Sequence, residues 1–160
     1  MPRSRVMRRP QFLAAMIAAM IPAVAARANV SYKVTHTDAQ WRKILGNDRY
    51  FILRENGTEP AFSSPLIKET RPGVYRCAGC DQALFSSKTK YDSGDGWPSF
   101  WTVLPNVTLT RMDYEIPLEP RTEVHCKRCG GHLGHIFDDG PPPTHLRYCI
   151  DGLALRFVPA

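Results

Sequence analysis

From Gly73 onward the apolar positions fall into short runs rather than helical stripes. GVYRC, QALF, SFWTVL, VTLTRM, TEVHC and LALRF are brief, rich in aromatic and β-branched residues, and separated by Gly, Pro, Asn or Asp. That pattern predicts antiparallel strands. Upstream, Thr37–Arg54 carries Trp41, Ile44, Leu45, Tyr50, Phe51 and Leu53 as a broken apolar stripe, with Thr37 or Asp38 available as N-cap, which predicts helix. Gly46-Asn47 is expected to split it into two short pieces. GTEPAFSSPLIKETRPG reads as loop, and DDGPPPTH cannot be regular structure because three successive prolines remove three donors. The expectation is a mainly β protein with a short helical lead-in.

The 160 residues allow one domain with an ordinary core, or a small domain plus a tail. The formal charge of +6 suggests a nucleic-acid binder until its distribution is read. Residues 1–28 hold five of the 21 Lys and Arg and no acid, so the rest carries 16 bases against 15 acids. The excess belongs to the N-terminus, and no nucleic-acid partner is expected. MPRSRVMRRPQ followed by the apolar FLAAMIAAMI, then Pro22 and the small residues Ala26 and Ala28, has the layout of an export signal cleaved after Ala28. The apolar run is too short for a comfortable membrane span. Arg8-Arg9 resembles a twin-arginine signal with its apolar pair one residue late, so the export route stays open. An uncleaved interfacial anchor is the alternative. The expected organisation is a signal over 1–28 and one domain over 29–160, exported to a bacterial periplasm with no stable membrane anchor after processing.

Four of the five cysteines form two pairs, CAGC at 77–80 and CKRC at 126–129, separated by 45 residues. Two Cys-x-x-Cys turns can each present two thiolates to a tetrahedral Zn²⁺, and Gly79 and Gly130-Gly131 suit such turns. Cys77, Cys80, Cys126 and Cys129 are therefore expected to hold structural zinc, joining distant parts of the chain. Two disulfides, or free thiols, are the alternatives; an exported protein could oxidise these cysteines, although such small loops add little stability. Four sulfurs complete the tetrahedron, so the flanking His125 and His132 are left for other work.

Cys149 stands alone in THLRYCIDGLALRF. Nearby, GGHLGHIFDDG sets His132 and His135 three apart in what reads as a Gly-rich turn. A reactive thiol needs help to ionise and its reaction needs a proton donor, and imidazoles serve both. Trp97, after a Gly-x-Gly turn and before Pro98, is suited to a wall that receives a soft group such as a methyl on sulfur. Phe100 and Trp101 are expected to be core.

CAGC, DSGDGWPSFW, CKRCGGHLGHIFDDGP and RYCIDGLALRF, in this order, resemble the B-type methionine sulfoxide reductases, from about Thr37 to Phe157. The resemblance implies two small antiparallel sheets clamped by a four-Cys zinc site, and thiol-dependent reduction of the R epimer of methionine sulfoxide. It makes Cys149 the attacking thiol, brings His132 and His135 to the sulfoxide oxygen and sets Trp97 on the substrate methyl. Arg147 and Asp139 match a positioning network and Phe137 a packing residue beneath it. The implied partners are oxidised methionine in proteins or peptides and an external thiol, thioredoxin-like or small. Two positions depart from the family pattern. Asp95 stands where many members carry a second, resolving Cys, and Asp151 stands where Asn is usual. An ionised Asp151 near Cys149 would disfavour the thiolate. A zinc hydrolase would need an open metal position that four Cys deny. The remaining alternative is a non-catalytic, zinc-stabilised module holding a peptide through Trp97 and Arg147.

Overall fold

The computed structural model describes residues 30–160; the expected export signal lies outside the described residues. The following account concerns the unit Ser31–Ala160. Helix α1 runs Asp38–Glu55 behind a capping box: Thr37 Oγ1 accepts from Gln40 N–H, and the Gln40 side chain accepts from Thr37 N–H. Gly46, at φ 71° and ψ 171°, breaks the helix at the expected place. The break resets the phase of the stripe. Trp41, Leu45, Tyr50, Ile52 and Leu53 are buried, whereas Ile44 and Phe51, expected inside, are about half exposed. No helix among the described residues is long and apolar enough to cross a membrane.

Nine strands follow: β1 Gly73–Cys77, β2 Ala83–Ser86, β3 Lys90–Tyr91, β4 Ser99–Phe100, β5 Thr108–Asp113, β6 Arg121–Cys126, β7 His132–Phe137, β8 Arg147–Ile150 and β9 Leu155–Pro159. They form two antiparallel sheets, one ordered β2-β1-β9 and one ordered β3-β4-β8-β7-β6-β5. Three sequence expectations need correction. SFWTVL contributes only Ser99-Phe100 to a strand, since Pro98 and Pro105 bracket it and Trp101 N–H already turns to Thr89 O. RYCI, absent from the predicted strands, forms β8 inside the larger sheet. HLGHIF is strand, not turn. Its two glycine neighbours and internal Gly134 mimic a turn composition, and pairing on both sides overrides it.

The core lies between the sheets. Phe85 of β2 stacks on Phe100 of β4 at 4.3 Å between centroids, and Tyr75 of β1 meets Phe100 edge-on at 4.9 Å. Leu84, Leu133, Val124, Ile150 and Leu155 complete it. Each such burial is worth about 1.5–3 kcal/mol. Trp101 is only half-buried and lies outside this cluster, contrary to expectation. Helix α1 covers the cysteine turns: a Cβ on Gly79 would stand 3.6 Å from the Trp41 ring, and Arg54 donates to Cys129 O at 3.0 Å.

Candidate active site

One row of side chains crosses all six strands of the larger sheet. Its register sets Tyr91, Ser99, Cys149, His135, Glu123 and Arg111 side by side. Opposed residues project to the same face with Cβ atoms about 4.5–5.5 Å apart. Cys149 therefore has His135 on one side and Ser99 on the other. Arg147, two residues before Cys149, shares that face and opposes Phe137. Its guanidinium lies 4.4 Å from the Phe137 ring centroid.

His132 joins this face through a β-bulge. In a regular strand, residues three apart point to opposite sides. Between β6 and β7 the register passes from Val124↔Gly134 to His125↔His132, which inserts one extra residue in β7. Leu133 turns into the core, and the two imidazoles come to 5.4 Å between centroids. Gly134 takes φ +147° here, and a Cβ on it would meet Cys149 O at 2.1 Å.

Each imidazole has a buried carboxylate beside it. His132 Nδ1 is 2.9 Å from Glu123 Oε1, and Glu123 also binds Arg111. His132 Nε2 is buried with no hydrogen-bond partner among the described residues, and lies 3.8 Å from Asp151 Oδ2. His135 Nε2 is 2.8 Å from Asp113 Oδ2. Burial pushes the His135 pKa below its ordinary value, and the Asp113 contact partly opposes this. Burial likewise pushes the Cys149 thiol up to about 11; Arg147 opposes that rise, while Asp95 and Asp151 add to it.

Arg147 is held on two sides. It binds Asp139 with both Nε and Nη2 at 2.7 Å, and its Nη1 is 2.5 Å from Asp95. Trp97 is half-buried rather than free-standing: its indole N–H donates to Glu59 O at 3.1 Å. Phe62 N–H donates to Gly96 O, which zips the two loops together. The Glu59 carboxylate accepts Gly152 and Leu153 N–H, while Glu59 N–H donates to Asp151 Oδ1. Asp151 is thus buried against Glu59 and His132, with Arg147 committed elsewhere. Burial raises the pKa of both acids, that of Asp151 to about 6. Sequence reasoning missed Glu59, Ser99, Asp113 and Glu123. Acids and serines are ordinarily exposed, so nothing in the one-dimensional pattern marks these as buried. An open groove of about 970 Å³, lined by Arg42, Phe51, Glu59, Leu66, Gly152 and Phe157, does not include Cys149 or either His.

Away from this row, the sulfurs of Cys77, Cys80, Cys126 and Cys129 lie within 4.8 Å of one another. Cys77–Cys129 and Cys80–Cys126 stand 3.7 and 3.5 Å apart, too far for a disulfide. Four thiolates at Zn–S distances of 2.3 Å stand about 3.8 Å apart on a tetrahedron, so this donor set fits a closed metal site.

Residues 45–159 match the SelR domain family. The chain is 50% identical over 129 residues to a peptide methionine sulfoxide reductase MsrB of Agrobacterium fabrum, covering 81% of this chain and 96% of that one. It is 47% identical over 128 residues to the MsrB of Leptospira interrogans, covering 80% and 98%. Peptide methionine sulfoxide reductase B1, chloroplastic, of Oryza sativa is 47% identical over 126 residues, covering 79% and 59%. With the family match spanning most of the chain and the two bacterial relatives matched over nearly their whole length, the chain belongs to the SelR-domain family, that of the MsrB peptide methionine sulfoxide reductases.

Proposed function

We propose that this protein reduces the R epimer of methionine sulfoxide in peptides and proteins to methionine, with Cys149 as nucleophile, and so repairs oxidised proteins. The observation that carries the reading is the pairing of Cys149 with His135 on one sheet face, beside Arg147. With the thiol pushed to about 11 and His135 pushed down, the resting pair near neutral pH is thiol and imidazole. One proton is therefore available for the sulfoxide oxygen. His135 takes it from Cys149 and delivers it, or His132 does so through water. The Cys149 sulfur attacks the substrate sulfur, the oxygen ends on Cys149 as a sulfenic acid, and the thioether leaves. Methionine sulfur gains two electrons and Cys149 loses two. Trp97 lines the methyl side, Arg147 steadies the developing thiolate, and Asp139 and Phe137 hold Arg147. Asp151 lies beside His132, 3.8 Å from its Nε2.

An external thiol then attacks the sulfenic acid, releasing water, and a second thiol completes a disulfide outside the enzyme. Asp95 cannot resolve it. Cys77, Cys80, Cys126 and Cys129 are committed to one structural zinc, which when bound fixes the two turns and takes no part in the chemistry. We further propose that residues 1–28 export the chain to the periplasm; N-terminal sequencing that starts at Asn29 checks this, and an intact Met1 in soluble cytosolic protein overturns it. The decisive assay follows dithiothreitol-dependent turnover of separate R and S epimers, then intact mass after one turnover without reductant. The expected results are R-selective turnover and a gain of one oxygen at Cys149. No turnover favours a binding module, and a loss of two hydrogens means an internal disulfide.

A further inference from the structure

The row of paired strands extends the reach of His135 beyond its own sheet neighbours. Asp113 is the last residue of β5 and opposes Arg121, the first of β6. Its Oδ1 accepts Glu115 N–H at 2.8 Å, and its Oδ2 is 2.6 Å from Arg121 Nη2 and 2.8 Å from His135 Nε2. The side chains are largely buried, at 9%, 20% and 10% exposure for Asp113, Arg121 and His135. Both carboxylate oxygens are thus occupied and the carboxylate has no freedom to turn. A carboxylate at this distance is an acceptor, so Nε2 must carry the ring proton, and Nδ1 is then the basic nitrogen of the neutral imidazole. This is the third member that orients a base in a nucleophile–base pair.

We propose that Asp113, clamped by Arg121, is a positioning residue that fixes the tautomer and ring orientation of His135 for proton transfer with Cys149. The inference rests on the reading of His135 as the proton carrier. Burial works against an ionised Asp113, but the Glu115, His135 and Arg121 contacts hold its pKa at about 2, so it stays an acceptor across the working range. The groups around His135 are Cys149 and Arg147 from β8, Glu123 and Arg121 from β6, Asp113 from β5 and His132 on its own strand. Among them Asp113 raises the His135 pKa while Arg121 and His132 lower it.

Asp113→Asn keeps the shape and removes the charge. It should lower kcat about tenfold or more with KM little changed. It should also move the acidic limb of the pH–rate profile, and the His135 titration followed by NMR, to lower pH. Arg121→Gln, a second variant that leaves the carboxylate in place, should move the His135 titration the other way. In the background of His135→Gln, Asp113→Asn should cost nothing further. The inference is overturned by wild-type kcat and an unmoved His135 titration in Asp113→Asn. It is equally overturned if Asp113→Asn costs the same factor with and without His135. Wild-type rates for His135→Gln alone would instead remove the proton-carrier reading beneath it.

Discussion

Asp151 is the residue whose behaviour departs furthest from its type. It is 3% exposed, it lies between His132 and the equally buried Glu59, and burial raises its pKa to about 6 from an ordinary 3.8. The folded state therefore keeps a proton that the unfolded chain has already lost. Stability from this group is full below about pH 4 and is lost as pH rises through about 6, by roughly 3 kcal/mol. Asp151→Asn should flatten the fall in thermal stability between about pH 4 and pH 6, leaving only the slope due to Glu59. Its lost charge should also lower the Cys149 pKa and raise turnover at neutral pH. Parallel stability curves for wild type and variant would mean that Asp151 is solvated in solution. The departure at 151 was visible in the sequence as Asp where Asn is usual. Its partner was not, because Glu59 lies 92 residues away in a loop.

At the scale of the element, β7 decides the site. A strand that alternated regularly would send His132 and His135 to opposite faces, and only the bulge at Leu133–Gly134 brings them together. Gly134→Ala would drive a Cβ to within 2.1 Å of Cys149 O and strain a φ of +147°. The outcome should be a loss of at least about 3 kcal/mol, with β7 and β8 pushed apart. Urea unfolding with hydrogen exchange on β8 measures it; stability and β8 exchange equal to those of the wild type measured alongside would show that the bulge absorbs the methyl. Helix α1 teaches the converse lesson. Its cap at Thr37 and its break at Gly46 were legible, because both are local. The inward-facing residues were only partly so, because the break lets each half choose its face from what it packs on.

At the scale of the whole molecule, the cysteine cluster joins the smaller sheet, through Cys77 at the end of β1, to the larger, through Cys126 at the end of β6. A metal there ties elements that share few backbone hydrogen bonds. Chelation, or Cys126→Ser, should therefore lower Tm strongly and release about one zinc per chain before any change attributable to Cys149. Full thermal stability after complete metal removal would assign the cluster to free thiols. The cluster takes up the other four cysteines of the sequence and leaves Cys149 as the fifth.

The sequence by itself determined what depends on residue type and near neighbours: the β-rich pattern, the capped and broken helix, the paired Cys-x-x-Cys turns, and the motifs that set Cys149, His132, His135, Trp97, Arg147 and Asp139 apart. It also carried the family resemblance that the comparisons bear out. Only the tertiary structure decided the rest. RYCI and HLGHIF became central strands because pairing on both sides outweighs local propensity. Glu59, Asp113 and Glu123 became buried partners because an acid's burial is set by what folds over it, and here those groups come from strands and loops far along the chain. Register, which no periodicity encodes across a bulge, is what set Cys149 opposite His135.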